Sequence, residues 1–211
     1  MQYAVLFLPL FGSIIGYISK YFGNFFPQFI TTIFVVLSAA ISILLFYNGV
    51  FNSEYGNYLI YKWISSGNFI VNWSINIDPL SSIMLVVVTL VSALVHIYSI
   101  GYMAHDPDKP RFMSYLSLFT FSMLVLVVSD NFLQLFFGWE GVGLCSYLLI
   151  GFWFKKESAN KAAIKAFVVN RVGDFGFALG IFLIFYLFGT VNYDEVFSQI
   201  PFSINREISF I

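Results

Sequence analysis

Charged residues are scarce in this chain, and cysteine and histidine are scarcer still. Asp, Glu, Lys and Arg make up 10% of the 211 residues, whereas soluble domains carry about 25%. Hydrophobic residues make up 59%, and the mean hydropathy is +0.84. This composition excludes an ordinary soluble fold and indicates an integral membrane protein. The apolar runs lack the period of two that transmembrane barrels show, so the spans are predicted to be helices.

The scarce residue types also exclude several kinds of site. The one cysteine, Cys145, lies inside an apolar run, so the sequence offers no disulfide framework and no thiolate metal site. The two histidines, His96 and His105, do not form a metal-binding signature either. The net charge is −1 and there is no cluster of Lys and Arg, so nucleic acid is not an expected partner.

The apolar runs predict an all-α integral membrane protein with about six transmembrane helices. Asp78 is the predicted N-cap of the third helix, and Pro79 is its first residue. The turn from His105 to Arg111 holds two prolines, which are expected to keep it out of any helix. The predicted helices are Tyr3–Ser19, Ile30–Tyr47, Pro79–Met103, Phe112–Ser129, Asn131–Phe154 and Ala162–Phe188.

Two polar stretches lie outside these helices. In the linker of residues 48–77, Tyr58–Ser65 and Phe69–Ile77 are rich in β-prone residues and flank the turn sequence Ser66-Gly67-Asn68. They predict an outer β-hairpin. Beyond the sixth helix, Asn192 is the predicted cap of a short amphipathic helix that ends near Ile200.

The distribution of basic residues predicts the orientation in the membrane, because Lys and Arg collect in cytoplasmic loops. Lys20 follows the first apolar run, whereas a signal peptide has its positive charge before that run. The N-terminus is therefore predicted to lie outside, with the first helix uncleaved. The outer linker then holds only Lys62, and the inner loops hold Lys20, Lys109, Arg111, Lys155, Lys156 and Lys161.

Glu140 lies near the middle of the fifth predicted helix, where a carboxylate is costly. A charged side chain at the bilayer centre costs about 2.5–3.5 kcal/mol on insertion scales, so Glu140 is expected to face protein or water. Gly138, Gly141 and Gly143 surround it and leave room for a neighbouring helix or for water. Two interpretations follow. Glu140 carries protons, or it is a neutral group that hydrogen-bonds a neighbouring helix.

The sixth predicted helix has a polar face that could meet Glu140. Arg171 and Asp174 are three residues apart, and Asn170 lies four residues before Asp174, so these side chains share one face. Arg171 and Asp174 are either an intrahelical ion pair that eases insertion or part of a proton relay. Lys165 points nearly opposite Asp174, and it either extends to the membrane surface or lies on a buried polar track.

His96 and Asp130 are the remaining candidates. His96 lies in the third helix, past its midpoint. It is either a structural, hydrogen-bonded residue or a proton relay, since a neutral imidazole both donates and accepts. Asp130 lies at the outer boundary and is interpreted as a solvated residue of the turn between the fourth and fifth helices.

Several of these stretches resemble one known family. FGWEGVGLCSYLLIGFWF (Phe137–Phe154) resembles the fifth-helix signature of the largest antiporter-like subunit of respiratory complex I, which is subunit L in bacteria and chain 5 in mitochondria. Ile77–Met103, Arg111–Asn131 and Lys165–Gly180 agree as well, in the same order. The resemblance covers nearly the whole chain, and GVGLCSYLLIG distinguishes the family from related cation/proton antiporter subunits.

The resemblance implies a role for each candidate residue. Glu140 matches the family's proton-handling glutamate, and Arg171 and Asp174 match the basic and acidic positions of the segment that Lys165 begins. His96 matches the histidine of the third-helix motif. In the family, a lysine on a seventh helix pairs with the glutamate. The 211 residues end where that helix is expected, so the chain is expected to be an N-terminal fragment.

The expected function is that of a proton-translocating subunit in the membrane arm of NADH:quinone oxidoreductase, which couples NADH oxidation and quinone reduction to proton pumping through Glu140. The alternatives are a subunit of a multisubunit Na⁺/H⁺ antiporter and a scaffold in which Glu140 is structural. Residues 1–111 then hold the first three helices, and residues 112–211 begin the antiporter-like helical repeat.

The resemblance also implies where the redox chemistry takes place. No cofactor or metal is expected in this chain, while the whole complex would use NADH, FMN, iron–sulfur clusters and quinone. The expected partners are other membrane-arm subunits and the lipid bilayer. That bilayer is expected to be a bacterial inner membrane or a mitochondrial inner membrane.

Overall fold

The computed structural model describes residues 1–19, 25–67 and 69–208. Five of its helices are long and apolar enough to cross a membrane, and the first helix is a shorter apolar one of 17 residues. About 17 residues is the short end of the range that spans a bilayer. The predicted multi-pass helical architecture is confirmed. The elements are α1 (Gln2–Ile18), α2 (Phe25–Asn52), β1 (Gly56–Ser66), β2 (Phe69–Ile77), α3 (Pro79–Tyr102), α4 (Lys109–Val127), α5 (Phe132–Ile150), α6 (Glu157–Phe188) and α7 (Tyr193–Ile208).

The structure corrects the ends of α4 and α5. α4 starts inside the predicted proline turn, because Pro110 occupies its first turn, where a missing N–H has no helical partner to lose. α5 ends at Ile150 rather than Phe154, and the N–H of Gly151 donates to the Tyr147 carbonyl at 3.0 Å. The helix that carries Glu140 is therefore 19 residues long, with Glu140 next to its centre.

Three other helices are longer than predicted. α2 extends beyond the predicted span at both ends. α6 begins at Glu157 rather than Ala162, since an acidic side chain favours a first turn, and Glu157 pairs with Lys161 at 2.8 Å. α7 continues to Ile208, while its predicted cap is confirmed, with Asn192 Oδ1 accepting the backbone N–H two residues on at 3.1 Å.

Pro9 removes one backbone hydrogen bond from α1, and a serine on the neighbouring helix α2 supplies a hydrogen bond in its place. Pro9 has no N–H, so the carbonyl of Val5 has no partner within α1. The hydroxyl of Ser38 on α2 donates to that carbonyl at 2.7 Å. The hydroxyl of Ser117 on α4 donates to the carbonyl of Pro9 itself, also at 2.7 Å. These two bonds fix α1 against both α2 and α4.

The predicted β-hairpin is confirmed and packs on the start of α5. The side-chain amide of Gln134 pairs with the backbone of Ser74 in β2, donating to its carbonyl at 2.7 Å and accepting from its N–H at 3.1 Å. Asn131 caps α5 and also donates to the Asn72 carbonyl at 2.8 Å. Asn68, in the predicted turn, lies outside the described residues. Two amide side chains thus anchor the hairpin to α5.

Asp130 is buried, so its interpretation as a solvated turn residue was wrong. It is 3% exposed. Its Oδ2 accepts from the Ser74 hydroxyl at 2.5 Å, and its Oδ1 accepts from the Asn192 amide at 3.4 Å. Its backbone carbonyl accepts the N–H of Tyr193 at 3.2 Å. Asp130 therefore holds the hairpin and the start of α7 against the turn between α4 and α5.

Candidate functional site

Two glycines set the distance between α5 and α4. A Cβ added to Gly138 would lie 2.7 Å from the backbone nitrogen of Leu126, and one added to Gly141 would lie 2.8 Å from Ser122 Oγ. Both separations are too short for a methyl group, so the glycines allow the close helix contact. Gly143 differs, because a Cβ there would meet nothing within 4 Å. α5 thus packs on α4 with one face and leaves Glu140 on another.

Arg171 joins Glu140 to α6. Nη1 of Arg171 lies 2.5 Å from both oxygens of the Glu140 carboxylate. The same nitrogen lies 3.5 Å from Asp174 Oδ2, at the spacing of three residues that the sequence predicted. One guanidinium therefore bridges carboxylates on two different helices. The predicted pair is present, and the structure adds Glu140 as the nearer partner.

Trp139 links the same two helices a second time. Its indole Nε1–H donates to Asp174 Oδ1 at 2.9 Å, and its ring packs edge-on against Phe177. Asp174 has a side chain that is only 10% exposed, with one oxygen near Trp139 and the other near Arg171. Sequence reasoning missed Trp139. The available signal was an indole N–H beside Glu140 in an apolar helix, since an indole N–H in apolar surroundings usually finds an acceptor.

The cluster of Glu140, Arg171 and Asp174 is closed on one side and open on the other. The Arg171 guanidinium lies 4.7 Å above the ring of Phe167, which covers one of its faces. The side chains of Arg171 and Glu140 are still 47% and 25% exposed. If all three groups are ionised, their formal charges add to −1. The cluster can therefore accept one further positive charge, as a proton or as a cation from another group.

Lys165 and His96 lie apart from this cluster. Lys165 is exposed and has no hydrogen-bond or ion-pair partner among residues 1–19, 25–67 and 69–208. His96 is fully buried on α3, with Nδ1 2.8 Å from the Ser92 carbonyl. Because a carbonyl only accepts, Nδ1 carries the proton in that bond. Its buried Nε2 has no partner in the described part of the chain.

A hydroxyl pair connects the surroundings of His96 to α4. The Ser92 hydroxyl lies 3.4 Å from His96 Nδ1 and bonds to the Thr120 hydroxyl on α4 at 2.5 Å. α4 packs against both α3 and α5. The polar contacts of His96 therefore reach α4, whereas those of Glu140 reach α6.

Family models match two parts of the chain. The model described as "NADH-Ubiquinone oxidoreductase (complex I), chain 5 N-terminus" matches residues 63–113. The model described as "NADH:quinone oxidoreductase/Mrp antiporter, TM" matches residues 129–211. The second match contains the whole cluster of Glu140, Arg171 and Asp174.

Curated relatives are similar over most or all of the chain. NADH-ubiquinone oxidoreductase chain 5 of Chondrus crispus is 52% identical over 213 residues, which cover 100% of this chain and 32% of the relative. NADH-quinone oxidoreductase subunit L of Rickettsia felis is 58% identical over 179 residues, or 85% of this chain and 28% of the relative. Subunit L of Rhodobacter capsulatus is 59% identical over 156 residues, or 71% and 22%. The chain spans about a third of the length of these relatives, or less.

A solved structure shares the fold. A chain of the membrane-bound sulfane sulfur reductase, an archaeal respiratory membrane complex, matches with a TM-score of 0.77 over 93% of this chain and 39% of that chain. At 20% identity this likeness shows the fold alone. The family itself is shown by the two models and the curated relatives together. The chain belongs to the family of NADH-quinone oxidoreductase subunit L and NADH-ubiquinone oxidoreductase chain 5, the antiporter-like subunits of complex I.

Proposed function

We propose that this chain forms part of a proton-translocating subunit in the membrane arm of NADH:quinone oxidoreductase, where NADH oxidation and quinone reduction drive proton pumping. The observation that carries the proposal is the bridge from Arg171 to Glu140 between two apolar spans. Ionisable groups inside a membrane are costly and usually serve ion or proton movement. NADH and quinone come from the names of the relatives.

In this proposal Glu140 gains and loses the proton. A guanidinium is not deprotonated in proteins, so Arg171 acts as a cation that can move but not as a proton donor. Asp174 lies within reach of the same guanidinium nitrogen. When Arg171 moves towards Asp174, Glu140 loses its partner and takes up a proton. When the cation returns, the proton leaves along the polar face around Asp174.

A cation from a further helix would act on Glu140 in the same way. With Glu140 ionised the formal charges of the cluster add to −1, and the Glu140 side chain is one-quarter exposed, so there is both charge and space for a second cation. The redox events elsewhere in the complex would then move that cation. Arg171 would compete with that cation for the carboxylate of Glu140.

We assign His96 and Lys165 to the edges of the proton path. His96 is proposed to relay protons through Ser92 and Thr120 towards α4. Lys165 is exposed near the start of α6 and is proposed to lie at the inner mouth of the path. Neither residue touches the cluster directly, so substitutions there are expected to slow pumping less than substitutions of Glu140.

The proposal also covers the other subunits and the membrane around this chain. The redox groups, namely FMN, iron–sulfur clusters and bound quinone, would belong to other subunits. α6 exposes large apolar side chains such as Val172 at 75% and Leu187 at 70%, a surface that suits lipid or a membrane-arm subunit. The membrane would be a bacterial or mitochondrial inner membrane with the N-terminus outside. That orientation rests on the basic loops, of which Lys20 lies outside the described residues.

The test is a Glu140→Gln substitution in the full-length subunit, with Glu157→Gln as the control. Glu157 lies in an exposed ion pair at the start of α6, so its loss changes the same charge without touching the cluster. We expect Glu140→Gln to impair proton pumping while the complex still assembles. Pumping at the control level would contradict the proposal. Failure to assemble would instead favour a structural role for Glu140.

An Na⁺/H⁺ antiporter subunit is the second candidate, because the family model over residues 129–211 covers Mrp antiporters as well. The two functions differ in their partners. Purification of the native complex with NADH-oxidising subunits would support the first function. Purification without them, together with Na⁺-dependent proton exchange in vesicles, would support the second.

A further inference from the structure

A cavity opens between α4, α5 and α6 at the end of the bundle where α4 and α6 begin. It has a volume of about 440 Å³, within the usual size range of ligand sites. Arg111, Tyr115, Tyr147 and Asn160 are the polar residues among those that line it. In the orientation proposed from the basic loops, this end of the bundle lies at the inner membrane boundary.

Arg111 is held in place beside this cavity by two hydrogen bonds and two aromatic rings, and only one of its three nitrogens is hydrogen-bonded to a described residue. Its Nη2 donates to the Phe152 carbonyl at 3.1 Å and to Asp108 at 3.3 Å. Its guanidinium lies 4.8 Å from the ring centre of Phe152 and 5.1 Å from that of Phe154. Its Nε is buried and has no acceptor within the described part of the chain. The remaining nitrogen, Nη1, has no acceptor among the described residues and is not buried, so its two N–H groups can meet an acceptor in the cavity.

The other polar groups of the cavity favour an anion. The hydroxyls of Tyr115 and Tyr147 offer donors, and the Asn160 amide, which donates one N–H to the Phe154 carbonyl at 2.6 Å, has a second one. No carboxylate is among the described residues that line the cavity, and Asp108, which meets Arg111 from outside, is more than half exposed. Lys155 adds a further exposed positive charge in the neighbouring turn. A phosphate, with several acceptor oxygens and negative charge, matches this set of donors.

The position of the cavity identifies the source of the phosphate. It lies where the spanning helices end, at the depth of lipid headgroups, and Leu148 and Ile164 give it apolar walls on α5 and α6. Basic pockets between transmembrane helices at the inner boundary are suited to anionic lipid headgroups. We propose that this cavity binds the phosphate of an anionic phospholipid, with Arg111 as its main contact. This inference does not depend on the proposed proton-pumping function.

The experiment measures lipid retention by the purified, delipidated full-length subunit in detergent, using native mass spectrometry. Phosphatidylglycerol is the anionic probe and phosphatidylcholine the zwitterionic comparison. We expect one phosphatidylglycerol to bind about tenfold more tightly than phosphatidylcholine, and Arg111→Gln to remove about that factor. Lys155→Gln is the matched control, since it removes the same charge beside the cavity without lining it. It should change binding less than about twofold.

Arg111 also donates to a carbonyl in the turn after α5, so Arg111→Gln could lose lipid by misfolding. A second variant therefore tests the cavity without changing Arg111. Tyr115→Phe with Tyr147→Phe removes two hydroxyls and leaves both rings in place, and it should weaken retention of phosphatidylglycerol about threefold. Unchanged retention in this variant, or in a folded Arg111→Gln variant, would overturn the proposal. Replacement of the lipid by millimolar inorganic phosphate would overturn it too, because free phosphate would then be the ligand.

Discussion

Arg171 Nη1 lies 2.5 Å from the carboxylate of Glu140, although the two residues are 31 positions apart on different helices. The costly carboxylate of α5 therefore has a cationic partner within this chain. A partner on a further helix is not needed to explain how Glu140 is accommodated. Arg171 is also shared with Asp174, whose Oδ2 lies 3.5 Å from the same nitrogen. Competition for one guanidinium is what allows a small movement to change the state of Glu140.

Trp139→Phe should weaken the cluster without removing a charge. The substitution deletes the N–H that donates to Asp174 at 2.9 Å, and a hydrogen bond to a charged group contributes about 1.5–3 kcal/mol. Trp153→Phe is the matched control, because its indole also donates to an aspartate, Asp106, at 2.9 Å, but at an exposed site. We expect a lower melting temperature and slower pumping for Trp139→Phe only. Equal effects of the two substitutions would contradict a special role for Trp139.

Gly138→Ala should disrupt the packing of α5 on α4. Its Cβ would lie 2.7 Å from the backbone nitrogen of Leu126, and backbone cannot rotate away as a side chain can. Overpacking of this kind costs about 1–3 kcal/mol. Gly143→Ala meets open space, so it should be neutral or stabilising by up to about 1 kcal/mol from helix propensity. Thermal unfolding in detergent measures both, and a destabilised Gly143→Ala would show that the open face is occupied.

The Ser38 hydroxyl should matter only while residue 9 is a proline. Ser38→Ala leaves the Val5 carbonyl without a partner, at a cost of about 1–3 kcal/mol. Pro9→Ala restores an N–H to that carbonyl within α1. In the Pro9→Ala background, Ser38→Ala should then cost less than about 1 kcal/mol. Equal costs in both backgrounds, measured by chemical unfolding in detergent, would rule out this compensation.

Tyr193 should make the fold sensitive to alkaline pH. Burial raises the pKa of Tyr193 above its ordinary value, and the charge of Asp130 raises it further, against the opposing hydrogen bond with Ser129. The unfolded tyrosine, with a pKa of about 10, then loses its proton before the folded one does. Stability is therefore complete below pH ~10 and falls as the pH rises beyond it.

Melting temperatures between about pH 8 and pH 11 test this dependence. Tyr193→Phe should lose less stability over that range than the wild type. Tyr61→Phe serves as the control, because Tyr61 is 67% exposed in the hairpin and should leave the alkaline loss unchanged. Identical profiles for wild type and Tyr193→Phe would show that Tyr193 does not contribute.

Local patterns in the sequence predicted the helices, the hairpin and the pair of Arg171 with Asp174, because each depends on neighbours within a few residues. Asp78 and Asn192 were recognisable as helix caps for the same reason. The start of α4 near Pro110 and the end of α5 before Gly151 were less predictable. Proline and glycine both occur just inside a helix as well as just outside it. Composition and hydropathy sufficed for the membrane class.

The sequence patterns did not predict contacts between segments that are far apart in the chain. Asp130 looks like a solvated turn residue until Ser74, 56 residues away, is seen to donate to it. Trp139 looks like an ordinary membrane aromatic until α6 brings Asp174 to its indole. Which helix face meets which neighbour depends on packing of the whole bundle, and periodicity alone does not specify it.

The most direct test of whether Glu140 and Arg171 act as one unit is a double-mutant cycle of the two residues, with proton pumping by the assembled full-length complex as the measured quantity. If the two side chains act as one unit, Glu140→Gln and Arg171→Gln should each impair pumping, and the double variant should be no worse than the more impaired single variant. Losses that multiply in the double variant would show that Glu140 and Arg171 act independently and would contradict the claim.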